Sequence, residues 1–163
     1  MKVALAMAYF VFAILLNSVG TVMMQVQEAF AVSKGSATQL EAFKDLTIAF
    51  TSFLVAPFLP RLGFKNAILG GLAVAGLACC MMPTMPGFLT AKMLFLLCGL
   101  SFAFIKVSVY SSVALVTEDS RQHASFMSTV EGVYMIGVLL GYWMFSFFID
   151  PINPASPVWL NVY

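Results

Sequence analysis

The chain has 163 residues, of which 61% are hydrophobic and only 9% charged, with a formal net charge of +1. A soluble domain carries about 25% charged residues, so this chain has too little polar surface for water, and its near-neutral balance offers nothing to nucleic acid or an acidic partner. His123 is the single histidine, too few for a histidine metal site, and Cys79, Cys80 and Cys98 lie inside apolar runs without zinc-ligand or disulfide-framework spacing.

Met1 and Lys2 flank the first apolar run. Residues 3 to 26 carry no charge, a stretch longer than the about 7–15 residues of a signal-peptide core. About 20 apolar residues cross a bilayer, so a retained membrane helix is predicted at about 3–25. A polar segment from Gln27 to Lys44 follows, with a turn-like cluster at Ser33, Lys34, Gly35 and Ser36. The second span is predicted at 41–60. Only 46–60 is free of charge, so Glu41, Lys44 and Asp45 form its polar outer end and Pro57 and Pro60 its last turn.

A short connection, Arg61 to Lys65, leads to a third span at about 66–83, stopped by Pro83 and the turn at Pro86-Gly87. The fourth, at about 89–116, carries Lys92 near its start and Lys106 inside. A polar loop from Thr117 to His123 precedes the fifth, at about 124–149, with Glu131 inside. Asp150, Pro151, Asn153, Pro154 and Pro157 make a turn, and 157–163 reads as the start of a truncated sixth span.

The expected fold class is therefore all-α: a polytopic membrane helix bundle with five transmembrane helices and the beginning of a sixth. Barrel strands are only about 9–11 residues long and alternate in polarity. Backbone in lipid must satisfy its own hydrogen bonds, which these long runs do as helices. Lys2, Arg61, Lys65 and Arg121 fall on one side, and Lys34, Lys44 and Lys92 on the other. That bias places the N-terminus in the cytoplasm of a plasma (inner) membrane.

A charge at membrane depth persists mostly where it faces a partner, a cavity or a transport path. Lys106 lies about 15 Å and Glu131 about 12 Å from the same membrane face at helical rise. Two consecutive antiparallel helices are expected to bring them together as an ion pair, either static or opened by solute or a proton. Asn17, Thr21 and Gln25, at i, i+4 and i+8, share a helix face. They read either as a cavity wall for a polar solute or as interhelical glue. Glu41, Lys44 and Asp45 read as a solvated helix end or as a charged mouth in which Asp45 takes a proton. Gly137 and Gly141, and the four-residue recurrence of Ala67, Gly71, Ala75 and Cys79, mark faces for close helix approach. No nucleophile–base arrangement, phosphate loop or metal motif is present in the sequence, so no enzyme and no cofactor is expected.

The segment Phe58-Leu59-Pro60-Arg61-Leu62-Gly63-Phe64-Lys65 resembles the loop signature of the major facilitator superfamily, roughly GxxxDRxGRR. Arg61, Gly63 and Lys65 match it. Ala56 stands where the family has its first glycine, Phe64 where it has a basic residue, and Pro60 where it has the acid that anchors a charge relay. The stretch Ser33 to Ala37, the connector Glu118 to Ala124, and Gly137 to Gly141 resemble other family segments in order and spacing. Within the family, the chain most resembles sugar-permease-like or related proton-coupled symporters.

The resemblance implies two six-helix bundles, inverted repeats and a central solute site worked by rocking. This chain would cover the first bundle only, completed by a C-terminal bundle or a second copy. The expected function is secondary transport of a small polar solute, a sugar or organic anion, coupled to a proton. Asn17, Thr21, Gln25, Lys106 and Glu131 would bind the solute, Glu131 or Asp45 would carry the proton, and Arg61, Gly63 and Lys65 would form the gating loop. The alternative is a small membrane scaffold that binds a partner through its small-residue faces.

Overall fold

The computed structural model describes residues 2–117, 119–149 and 156–163. Among these the regular structure is helical: α1 (Lys2–Asn17), α2 (Val19–Phe30), α3 (Lys34–Val55), α4 (Leu59–Leu62), α5 (Phe64–Thr84), α6 (Phe88–Val116) and α7 (Ser120–Phe147), then a 3-10 helix at Pro157–Val162. The turn expected at Asp150, Pro151, Asn153 and Pro154, together with Met1 and Glu118, lies outside the described residues.

Four segments are long and apolar enough to cross a membrane: Lys2–Phe30, Phe64–Thr84, Phe88–Leu115 and Ser120–Phe147. The second predicted span is not among them. Its helix begins at Lys34, seven residues before the predicted start, and Glu41, Lys44 and Asp45 lie towards its middle and not at its end. The expected helical opening of a sixth span is a six-residue 3-10 helix.

The first span is interrupted at Ser18 for a local reason. Asn17 Nδ2 donates to the Ala13 carbonyl at 2.9 Å, and Ser18 Oγ to the Leu15 carbonyl at 2.6 Å. Side chains that bond the preceding turn compete with the backbone ladder and bend a helix. At the far end of α2, Ala31 sits in the left-handed region, φ 52° and ψ 35°. That conformation costs an L-residue about 1–2 kcal/mol. Ala31→Gly should therefore raise stability by about 1 kcal/mol, net of glycine's greater chain entropy, seen as a higher midpoint in thermal unfolding in detergent. Ser33 and Asp119 start α3 and α7 by accepting the Ser36 and Gln122 backbone N–H groups at 3.2 and 2.7 Å. Gly63, between α4 and α5, has φ 80°, which accounts for a glycine in that connection.

Helix α6 is the hub, packed lengthwise against α3 on one flank and α5 on another, while α1 lies against α7 and also touches α6. Each principal contact is made at glycine. A Cβ on Gly71 would lie 3.0 Å from the Ser101 carbonyl of α6, and one on Gly99 would lie 2.8 Å from the Lys44 carbonyl of α3. One on Gly137 would lie 2.7 Å from Ala13 Cβ and one on Gly141 3.2 Å from Ile14 Cα, both in α1. In lipid, such close approach supplies the dispersion that holds helices together. Ala67, Ala75 and Cys79 are buried with Gly71 on α5, as their spacing predicted.

Outside these seams the surface is hydrocarbon. Phe53 is 83% exposed, Leu139 71% and Phe147 68%. Apolar exposure on this scale suits lipid or another membrane helix.

Candidate functional site

Lys106 and Glu131 do not meet as an ion pair. Consecutive helices α6 and α7 are poor neighbours, because α1 packs lengthwise on α7 and takes the place the simple hairpin picture gave to α6. Among the described residues the ion pair present is Lys44–Asp45, at 3.4 Å. Tyr110 stands between the two buried-depth charges instead. Its hydroxyl donates to Glu131 Oε1, and the Lys106 ammonium lies 5.7 Å from the centre of its ring. Phe102 offers Lys106 a second aromatic face at 6.0 Å. Phe102, Lys106 and Tyr110 recur every four residues, so one stripe of α6 carries the site.

From α1, Tyr9 adds the next link. It is 2% exposed, and its hydroxyl donates to the Tyr110 hydroxyl at 3.2 Å. The chain Tyr9–Tyr110–Glu131 thus crosses three helices, each hydroxyl proton pointing toward the carboxylate. Hydrogen bonds aligned in this way polarise one another in a low-dielectric interior. A second link joins the same helices: Asn17 Nδ2 donates to the Tyr134 hydroxyl at 3.3 Å. The ring of Tyr134 lies 5.1 Å from that of Tyr9 and 6.0 Å from that of Phe102.

The result is an aromatic floor of Tyr9, Phe102, Tyr110 and Tyr134, with one cation and one carboxylate on it, both half-buried. Two aromatic faces give an ammonium about 0.5–2 kcal/mol. Removing an ion from water costs several kcal/mol.

Asn17 joins the cluster. Thr21 is half-buried and Gln25 is 6% exposed, and neither side chain forms a hydrogen bond among the described residues. Of the predicted stripe, only Asn17 is thus tied into the cluster. Asp45 is 61% exposed in its side chain and engages Lys44, whose side chain is 11% exposed. Arg61 and Lys65 are exposed beside Gly63 and face no acid within ion-pair reach among the described residues.

Three tyrosines of the cluster were not singled out from the sequence. The signal was present for two of them: Tyr110 is four residues after Lys106, and Tyr134 three after Glu131, so each shares its charged residue's helix face. Tyr9 stands eight residues before Asn17, on the same stripe, with no charge nearby in sequence to flag it.

Among the described residues no group of three or more metal-ligating side chains converges. Comparisons of the chain with protein-family models, curated proteins and solved structures yield no match.

Proposed function

We propose that this protein is a proton-coupled secondary transporter, or a half of one, that moves a small solute by alternating access through the face bearing Lys106 and Glu131. The carrying observation is the Tyr9–Tyr110–Glu131 chain beside the half-buried Lys106, within helices long enough to span a bilayer. Opposite charges kept apart at depth by one hydroxyl are costly as mere structure. They are useful where a proton or solute changes their balance.

In this reading α3 is a fifth span, because it packs extensively against α6, which is long and apolar enough to cross. The fold is that of the first bundle of a major facilitator protein, with the Arg61–Gly63–Lys65 connection as its gating loop and the N-terminus in the cytoplasm. Lys2 and Arg121 border a common hollow at one end, and Lys65 lines another hollow together with Ala4 near the N-terminus, which supports one cation-rich face.

The scaffold alternative relied on free small-residue faces. Gly71, Gly137 and Gly141 on those faces make contacts within the chain, while Gly70, Gly76 and Gly132 have open space around them, so the transport reading is favoured by the polar cluster and not by the loss of its rival.

Uptake into vesicles carrying the intact protein tests the proposal, with sugars, carboxylates and peptides offered under an inward proton gradient. One class should accumulate, and Lys106→Gln with Glu131→Gln should abolish accumulation while the protein still inserts and folds. Undiminished accumulation by the double variant would reject the role of this site.

A further inference from the structure

We propose that Cys79 of α5 and Cys98 of α6 form a two-sulfur site for one soft divalent cation of linear coordination, of the mercury(II) class, inside the α5–α6 seam. The geometry of that seam brings the two together. Cys79 continues the buried stripe of Ala67, Gly71 and Ala75 on α5. On α6, Cys98 shares a face with Ser101 and Ile105, the two residues that a Cβ on Gly71 would meet. The helices are consecutive and run antiparallel. About two turns along α5 from Gly71, and about two turns back along α6 from Ile105, the cysteines come level. Their side chains interact directly with each other. Both thiols are free, and they are 8% and 2% exposed within one apolar core that includes Met82, Leu94, Phe95 and Phe102.

Coordination number and charge choose the ion. A structural zinc takes four ligands, and among the described residues no group of three or more metal-ligating side chains converges. Calcium and magnesium need a shell of oxygens. The Tyr163 hydroxyl, which is close enough to both cysteines to act on them electrostatically, is already paired with Ser18 at 3.0 Å. Copper(I) on two thiolates would leave a net negative charge in an apolar interior, which is costly. A divalent ion on two thiolates is neutral, and a linear ion asks for two sulfurs and nothing more.

Loading needs no charged species at depth either. Neutral mercuric chloride exchanges both chlorides for the two sulfurs, and each thiol proton leaves with a chloride as HCl. Two S–H and two Hg–Cl bonds break while two Hg–S and two H–Cl bonds form, with no change of oxidation state. Cys80, one residue on, is exposed on another face of α5 and lies outside the seam.

Mercuric chloride is the probe, added to the purified full-length Cys80→Ser chain in detergent and read by intact mass spectrometry. One equivalent should give a single adduct, heavier by one mercury less two hydrogens and free of chloride. Digestion should release an α5 peptide and an α6 peptide joined through the metal. Cys79→Ser and Cys98→Ser, each made in the Cys80→Ser background, should hold mercury with one chloride retained. Glutathione should strip it from these at concentrations at least about a hundredfold lower than from the paired site, because the second sulfur acts at high effective concentration.

Helix content by circular dichroism identifies single-thiol variants that fail to fold. The adduct mass and the joined peptides of the Cys80→Ser chain decide without them. Two chloride-bearing mercury atoms on that chain, peptides released separately, or equally easy loss to glutathione from paired and folded single-thiol chains would each overturn the proposal.

Discussion

Gly137→Val is expected to separate α1 from α7 and to cost about 3 kcal/mol or more, the upper range for overpacking. A Cβ at this position meets Ala13 Cβ at 2.7 Å and the Phe10 carbonyl at 2.9 Å, with a Phe10 ring atom at 3.2 Å. Neither backbone nor a Cβ can swing aside as the end of a flexible side chain does, so the helices themselves must part. The consequence is larger than a local clash because the polar cluster spans this seam: Tyr9 and Asn17 are on α1, Glu131 and Tyr134 on α7. Opening it loosens their bonds as well. Gly132→Ala is the internal control, on the same helix with nothing within 4 Å of its Cβ. Alanine's better helix propensity should make it neutral or stabilising by up to about 1 kcal/mol. Unfolding of both variants by denaturing detergent, followed by circular dichroism, measures the pair. Equal stability of the two would mean that α1 and α7 are not closely apposed.

Tyr110→Phe is expected to destabilise by about 2–3 kcal/mol although it keeps the ring and the volume. The lost hydroxyl serves twice, accepting from Tyr9 and donating to Glu131. A hydrogen bond to a charged group contributes about 1.5–3 kcal/mol, and leaving its partner unpaired costs the full desolvation of that group. Measured values between membrane helices run lower, about 0.6–2 kcal/mol, so the carboxylate's charge must account for the excess. The cycle with Glu131→Gln isolates it. If Tyr110 acts through the carboxylate, the cost of Tyr110→Phe should shrink by about 1–2 kcal/mol in the Glu131→Gln background. An undiminished cost would assign the hydroxyl's value to Tyr9 alone.

Much of the fold was legible because its signals are local. Apolar runs placed the first, third, fourth and fifth spans within a few residues of the observed helices, the first continuing to Phe30. The spacing of Ala67, Gly71, Ala75 and Cys79, and of Gly137 and Gly141, pointed to seams that the structure does form. The second helix was harder to delimit. Ser33 caps it and starts it at Lys34, upstream of the charges from which a membrane boundary was read, because a cap sets where a helix begins and not where lipid begins.

The site was legible in its charged members and not in its connections. Lys106 and Glu131 stand out because charge is rare at depth. Their expected direct contact failed because neighbours in sequence are not neighbours in the bundle. Of the polar stripe Asn17, Thr21 and Gln25, only Asn17 finds a partner in the cluster, because Tyr134 lies opposite it alone.

Composition, run length and helical spacing were enough to establish a helical chain suited to a membrane, its close-approach faces and its buried-depth charges, since each depends on the few residues within one or two turns. Only the tertiary arrangement decided that α6 is central, that α1 lies along α7, and that Tyr9, Tyr110 and Tyr134 complete the site. Those choices depend on which glycine seams find a partner at close range, and residues more than one hundred positions apart, such as Tyr9 and Tyr110, share no local signal that could announce their contact.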